Sequence, residues 1–171
     1  MGNRQQVWEF VRSFAAAYGK PLADGDGVDH ADLDAAAARL GRVLPAALRE
    51  AYLLFGRRPD LTRSQDTLLS PAQLKVDPSG SVLVFRNENQ SCASWGVWLT
   101  QLDLDDPPVV MEFGEGWVPY SERLSVAMAE MVLSEAMLFD CEASTTDNRE
   151  LDDTARGMLE AVPGSWRAVA G

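Results

Sequence analysis

The chain has 171 residues, and its composition (46% apolar, 24% charged) suits a folded domain with a sizeable core rather than a disordered one. Its net charge of −11 argues against a nucleic-acid backbone as ligand, because phosphate binding relies on Lys and Arg. No apolar run reaches the roughly 18–20 residues of a membrane span. The first residues form no basic-then-apolar leader, and the widely spaced Cys92 and Cys141 suit reduced thiols, so a cytoplasmic protein is expected.

In chain order, Val7, Phe10, Val11, Phe14 and Tyr18 recur at helical spacing and predict an amphipathic helix over 4–18. Turn formers in 21–28 predict a flexible acidic linker. Asp29 or Asp32 caps a second helix carrying Leu33, Ala36, Ala37 and Leu40, which Gly41 stops. Pro45 opens a third helix with Leu48, Ala51, Tyr52 and Phe55 on one face, ended by Gly56. A polar stretch (57–69) precedes a short helix from Ser70-Pro71 to about Leu74, and Asp77–Gly80 is a turn.

The period then changes from 3.6 to 2. Strands are expected at 81–87 (apolar on both faces, hence central), 92–99, 109–113 and 117–120. Ser121 caps a helix to about Phe139, burying Leu124, Met128, Met131, Val132 and Phe139. An acidic loop (140–150), a weaker helix (151–161) and a tail follow. The short loops force antiparallel pairing. The class is α+β: a central, mainly antiparallel sheet of about four to six strands with helices packed on one face.

Catalytic chemistry is poorly served. The single histidine, His30, sits at a solvated helix start, and one His with two distant Cys builds no zinc site. Asp24–Asp29 fails as a calcium loop: Val28 replaces a ligand and Ala35 stands where the bidentate Glu belongs. Gly114-Glu115-Gly116 leads into a strand, so it is no phosphate cradle. A hydrolase with a carboxylate pair stays open only because acids are plentiful. No catalytic residue, metal or cofactor is therefore expected.

One region stands apart. Between Arg86 and Arg123 there is no Lys or Arg, while Glu88, Asp103, Asp105, Asp106, Glu112, Glu115 and Glu122 lie there with Trp95, Trp98 and Trp117. Such a stretch should carry a negative field, and exposed aromatics would supply anchors for a partner. Alternation places Trp95 in the core with Val97 and Leu99, and Trp98 on the opposite face. The candidate partner-binding residues are Glu88, Asn89, Gln90, Trp98, Asp103, Asp105, Asp106, Glu112, Glu115 and Trp117. Conversely, Arg39, Arg42, Arg49, Arg57, Arg58 and Arg63 meet only Glu50 and Asp60 within their own stretch, which predicts an electrically lopsided molecule.

The order of motifs resembles the SUKH superfamily, which contains yeast cell-wall synthesis regulators and many bacterial immunity proteins. Leu40-Gly41-Arg42-Val43-Leu44-Pro45 and the helix after it resemble the family's opening. Then come Leu83-Val84-Phe85, Glu88-Asn89-Gln90, Trp95-Gly96-Val97, Asp106-Pro107-Pro108-Val109, Trp117 and the last helix. Gly56-Arg57-Arg58 departs from the family's Asn-Gly type ending. The likeness covers 29–139, leaving 1–28 as an N-terminal helix and linker and 140–171 as an acidic loop, short helix and tail. It implies a helix-flanked sheet without catalysis that binds a protein: an immunity protein neutralising a cognate basic toxin, nucleases among the candidates. The alternative is a housekeeping regulator or scaffold with an endogenous partner. Either would act as a monomer or homodimer.

Overall fold

The computed structural model describes residues 3–114 and 116–143, with side chains in the last helix to Leu138. The weaker helix and tail expected beyond 143 lie outside the described residues, and Phe139, expected to be buried, lies outside the described side chains.

Helix α1 (Arg4–Ala17) starts on a reciprocal cap. The Asn3 side chain accepts from the Gln6 N–H, and the Gln6 side chain accepts from the Asn3 N–H, each at 3.0 Å. The apolar stripe of α1 is covered by its own chain. Trp8 stands edge-on to Phe55, Val11 and Ala15 are buried, and the Tyr18 hydroxyl donates to the Ala136 carbonyl at 2.8 Å. Glu50 ties the helix down by accepting from Trp8 Nε1 at 2.6 Å and from two Arg4 N–H groups at 2.8 and 3.1 Å.

Residues 21–28 are a fastened loop rather than the expected flexible linker. The Val28 N–H donates to the Tyr52 carbonyl, and Arg57 N–H to the Asp26 carbonyl. Arg58 bridges Asp26 (2.9 Å) and Asp60 (2.7 Å), which raises its pKa and holds Asp60 below the usual carboxylate range, burial opposing both. Gly27 lies so close to α3 that an added Cβ would fall 1.8 Å from the Leu53 carbonyl oxygen. The acids that look like solvated turn residues are partners for arginines some thirty positions away.

Helix α2 (His30–Leu40) buries Leu33 and Ala36 and ends at Gly41 in the left-handed region (φ 62°), as the sequence predicts. Helix α3 (Ala46–Phe55) follows Pro45 and buries Leu48, Ala51, Tyr52 and Phe55. The stretch read as polar loop contains helix α4 (Pro59–Thr62) and strand β1 (Thr67–Leu68). Elements of four and two residues are too short to show a period.

Strands β2 (Lys75–Val76), β3 (Val82–Asn87), β4 (Ala93–Trp98), β5 (Val109–Phe113) and β6 (Gly116–Ser121) complete a six-stranded antiparallel sheet. Its order is β1-β3-β4-β5-β6, with β2 also paired to β3. The class is α+β, as expected. Strand β3 has neighbours on both sides, and Val82 to Arg86 are all buried, which is why it reads as apolar on both faces.

Helix α5 (Leu124–Ala143) packs against α1, α3, α4 and β6, and buries Leu124, Met128, Met131 and Val132. Asp106, not the expected Ser121, caps its first turn. The Asp106 carboxylate accepts from the Ser125 N–H (2.7 Å), the Ser125 hydroxyl (2.7 Å) and the Arg123 guanidinium (2.9 Å). No described helix is long and apolar enough to cross a membrane.

Candidate protein-binding surface

The ten candidate residues do not form one patch. Antiparallel pairing sends the chain up β3, round the turn at 88–92, down β4, and through 99–108 into β5. Glu88, Asn89, Gln90, Glu112 and Trp117 therefore sit toward the β3–β4 turn, and Trp98, Asp103, Asp105 and Asp106 at the far end of β4. The six residues of β4 separate the groups by roughly 20 Å. Glu115 lies outside the described residues.

Several candidates are used internally. Glu88 is half-buried and accepts from the N–H groups of Gln90 (2.8 Å) and Cys92 (3.1 Å), closing the turn. Ser91 in that turn has φ 61°, so the carboxylate holds a non-glycine residue in the left-handed region. Asp106 is the α5 cap. Trp98 is half-buried against the core rather than free. Asn89, Gln90, Asp103, Asp105 and Glu112 are exposed.

The expected charge separation is weaker than the sequence suggests, because pairs form across distant stretches. Arg4 meets Asp105 at 3.4 Å, Arg123 meets Asp106 at 2.8 Å, Arg49 meets Asp34 at 2.7 Å and Arg57 meets Asp29 at 2.6 Å. Arg39 donates to the carbonyls of Pro71 and Leu74. Glu88, Asp103 and Glu112 have no ion pair among the described residues.

Beneath the turn lies a buried charged cluster that gave no sequence signal. Glu135 of α5 is fully buried, and its carboxylate accepts from the N–H groups of Ser64 (2.6 Å), Gln65 (2.7 Å) and Asp66 (3.0 Å) and from Arg86 Nη2 (3.1 Å). Arg86 Nη2 also donates to Asp66 (2.5 Å), and the guanidinium stacks on Trp95 with its carbon 4.4 Å from the ring centroid. Tyr120 meets Trp95 edge-on, and burial followed by the Glu130 charge pushes its hydroxyl up to about 12. Burial pushes the Asp66 carboxyl above its usual range; Arg86 opposes this, while Glu135 and Glu88 add to it. Arg86 Nε, Trp95 Nε1 and Ser64 Oγ are buried here without a hydrogen-bond partner among the described residues, but both carboxylates are held by donors, and these bonds fix the sheet, α5 and segment 64–66 in one geometry.

Trp117 is half-buried, and its Nε1 donates to Asp77 at 3.4 Å. Asp77 also accepts from Ser79, Ser81 and Val82 N–H groups and the Ser79 hydroxyl. Burial alone would raise the Asp77 carboxyl, but these donors outweigh it and hold it down at about 2. A depressed folded-state pKa contributes stability above the unfolded value of about 4, lost as pH falls from there toward 2. Urea midpoints at pH 6 and pH 3 test this. Asp77→Asn should lower the midpoint clearly at pH 6 and less at pH 3; an equal deficit at both would assign the effect to shape alone.

Among the described residues no group of three or more His, Cys, Asp or Glu could hold a metal ion, and His30 and Cys92 are exposed. Among the described residues the exposed large apolar side chains are Val43, Leu104, Phe113, Val118, Met137 and Leu138. Composition could not single these out, because exposure of a strand residue depends on which element covers it. Compared with protein-family models, with curated proteins and with solved structures, the chain matches none of them.

Proposed function

We propose that the chain is a non-catalytic protein-binding module, of the immunity-protein kind suggested by its SUKH-like motifs, which neutralises a basic toxin by covering part of its surface. The observation that carries this reading is the pairing of carboxylates that lack an ion pair (Glu88, Asp103, Glu112) with exposed apolar side chains, on a chain of net charge −11. Carboxylates left without an ion pair raise the rate of encounter with a cation-rich surface, and apolar anchors slow release. The buried groups that could do acid–base work are instead consumed by Arg86 and backbone N–H groups, which supports binding over catalysis.

Immobilised full-length chain should capture a basic protein from a lysate of its own host. Expressed alone that partner should arrest growth, and co-expression with this chain should restore it. A captured partner that is harmless when expressed alone would replace the immunity reading with the housekeeping one, and an acidic partner would overturn the electrostatic basis of both.

A further inference from the structure

We infer that the partner docks on the turn-proximal end of the sheet, with Phe113 as the central anchor and a basic, apolar-pocketed protein surface as the occupant. This rests on the proposed binding function and localises it.

Phe113 is 67% exposed although it lies within a β-strand. Register places it on one line across three strands. The Glu88 N–H donates to the Ala93 carbonyl at 2.9 Å, Ala93 pairs with Phe113, and Phe113 pairs with Gly116. Residues opposite each other share a face. Met111 and Val118, paired with each other, therefore flank Phe113 on its own face, and Val118 is also exposed. Glu112, one residue before, projects to the other face and sits at the rim. The result is an apolar centre with Glu88 in line on its own face and Glu112 on the reverse face of the same sheet end, neither with an ion pair among the described residues.

Pairing by strand addition is disfavoured. Strand β6 is an edge, but Pro119 in its middle has no N–H to offer and register slips beside it. Recognition must be by side chains.

Charge selects the occupant. A second copy related by two-fold symmetry would bring this acidic rim against itself. Residues 144–171 also hold more acids than bases, so they match the rim no better. A cation-rich protein surface does match. The rival patch, Val43 with Leu104, lies near Asp105 through the Ala47–Asp105 backbone bond and beside exposed Asp103, but there two arginines intrude: Arg4, shared by Glu50 and Asp105, and exposed Arg42, which adjoins Val43.

The test replaces Phe113 with the photo-crosslinker p-benzoylphenylalanine in the full chain, and in a parallel sample replaces Val43, with both expressed in the host. Crosslinking from position 113 to the same basic partner that the immobilised wild-type chain captures supports the proposal. With that partner purified, Phe113→Ala should weaken binding roughly 30-fold or more, as a central aromatic anchor does. Glu112→Lys should slow association, and Val43→Ala should change neither. Unchanged melting of each variant assigns the loss to contact rather than folding. A partner captured by the wild type that crosslinks from 43 and not 113, or binds Phe113→Ala normally, overturns the location while leaving the function standing. Crosslinking of 113 to residues 144–171 or to a second copy overturns it too. No partner captured by any form overturns both.

Discussion

Glu135→Ala should cost about 3–5 kcal/mol, the loss typical when one partner of a buried charge pair is removed. Total stability of a domain this size is on the order of 5–15 kcal/mol, so the variant would stand near the edge of folding. The size follows from what Glu135 holds. Three consecutive N–H groups, from Ser64, Gln65 and Asp66, and the Arg86 guanidinium all donate to one fully buried carboxylate. Removing it leaves three backbone donors without an acceptor and a buried cation facing Asp66 alone. Urea unfolding should show a much lower midpoint at unchanged slope. Glu9→Ala, on the exposed side of α1, should change stability by no more than about 0.5 kcal/mol. A double replacement, Arg86→Met with Glu135→Met, should not restore the wild-type midpoint. In a simple buried pair it often would, but here the three backbone N–H groups remain unsatisfied, each costing about 1–3 kcal/mol. Full recovery in the double variant would show that the carboxylate serves only Arg86.

Gly96→Ala should cost about 2–3 kcal/mol through overpacking in the centre of the sheet. An added Cβ would sit 2.3 Å from Val82 Cγ1 and 2.6 Å from the Leu83 carbonyl oxygen. Strand β3 cannot retreat without disturbing β1 and β2, which both pair with it. Gly116 provides the control on the same sheet, because nothing lies within 4 Å of the Cβ it would gain. Gly116→Ala should melt within a few degrees of wild type, and Gly96→Ala well below it. Equal melting of the two would show that β3 and β4 can slide apart freely.

Gly96 also shows why part of the fold was legible in the sequence. The Trp95-Gly96-Val97 triplet sits at the closest approach of the two central strands, so the glycine is a packing requirement. The buried faces of α2 and α3 followed from 3.6-residue spacing, and strand 109–113 and the last helix were legible as apolar runs. What stayed hidden depends on contacts between distant residues. Arg58 with Asp26, Asp106 with Ser125, and Arg86 with Glu135 are separated by 32, 19 and 49 positions. A carboxylate serving as a remote helix cap looks in sequence like any loop acid, which is how Asp106 came to stand among the binding candidates. The same limit concealed Phe113. It ends an apolar strand whose first two residues are buried, and its exposure depends on which distant element covers that end of the sheet.

The candidate surface was thus half legible. The acidic, Lys- and Arg-free stretch from Asn87 to Glu122 is real in the sequence, but folding divides it between two ends of the sheet and supplies Arg4 and Arg123 to one of them. Asp103 at that end, and Glu88 and Glu112 at the turn-proximal end, keep no ion pair among the described residues, and the turn-proximal end adds an apolar centre.

The most direct measurement of the central claim is the association rate of the purified full chain with its captured partner as a function of ionic strength. Steering by Glu88 and Glu112 should make association fast at low salt and slow it progressively as screening shortens the Debye length from about 30 Å at 0.01 M to about 8 Å at 0.15 M. Glu112→Lys should flatten that dependence. An association rate indifferent to salt, and equally indifferent to reversal of these charges, would contradict an acidic docking surface.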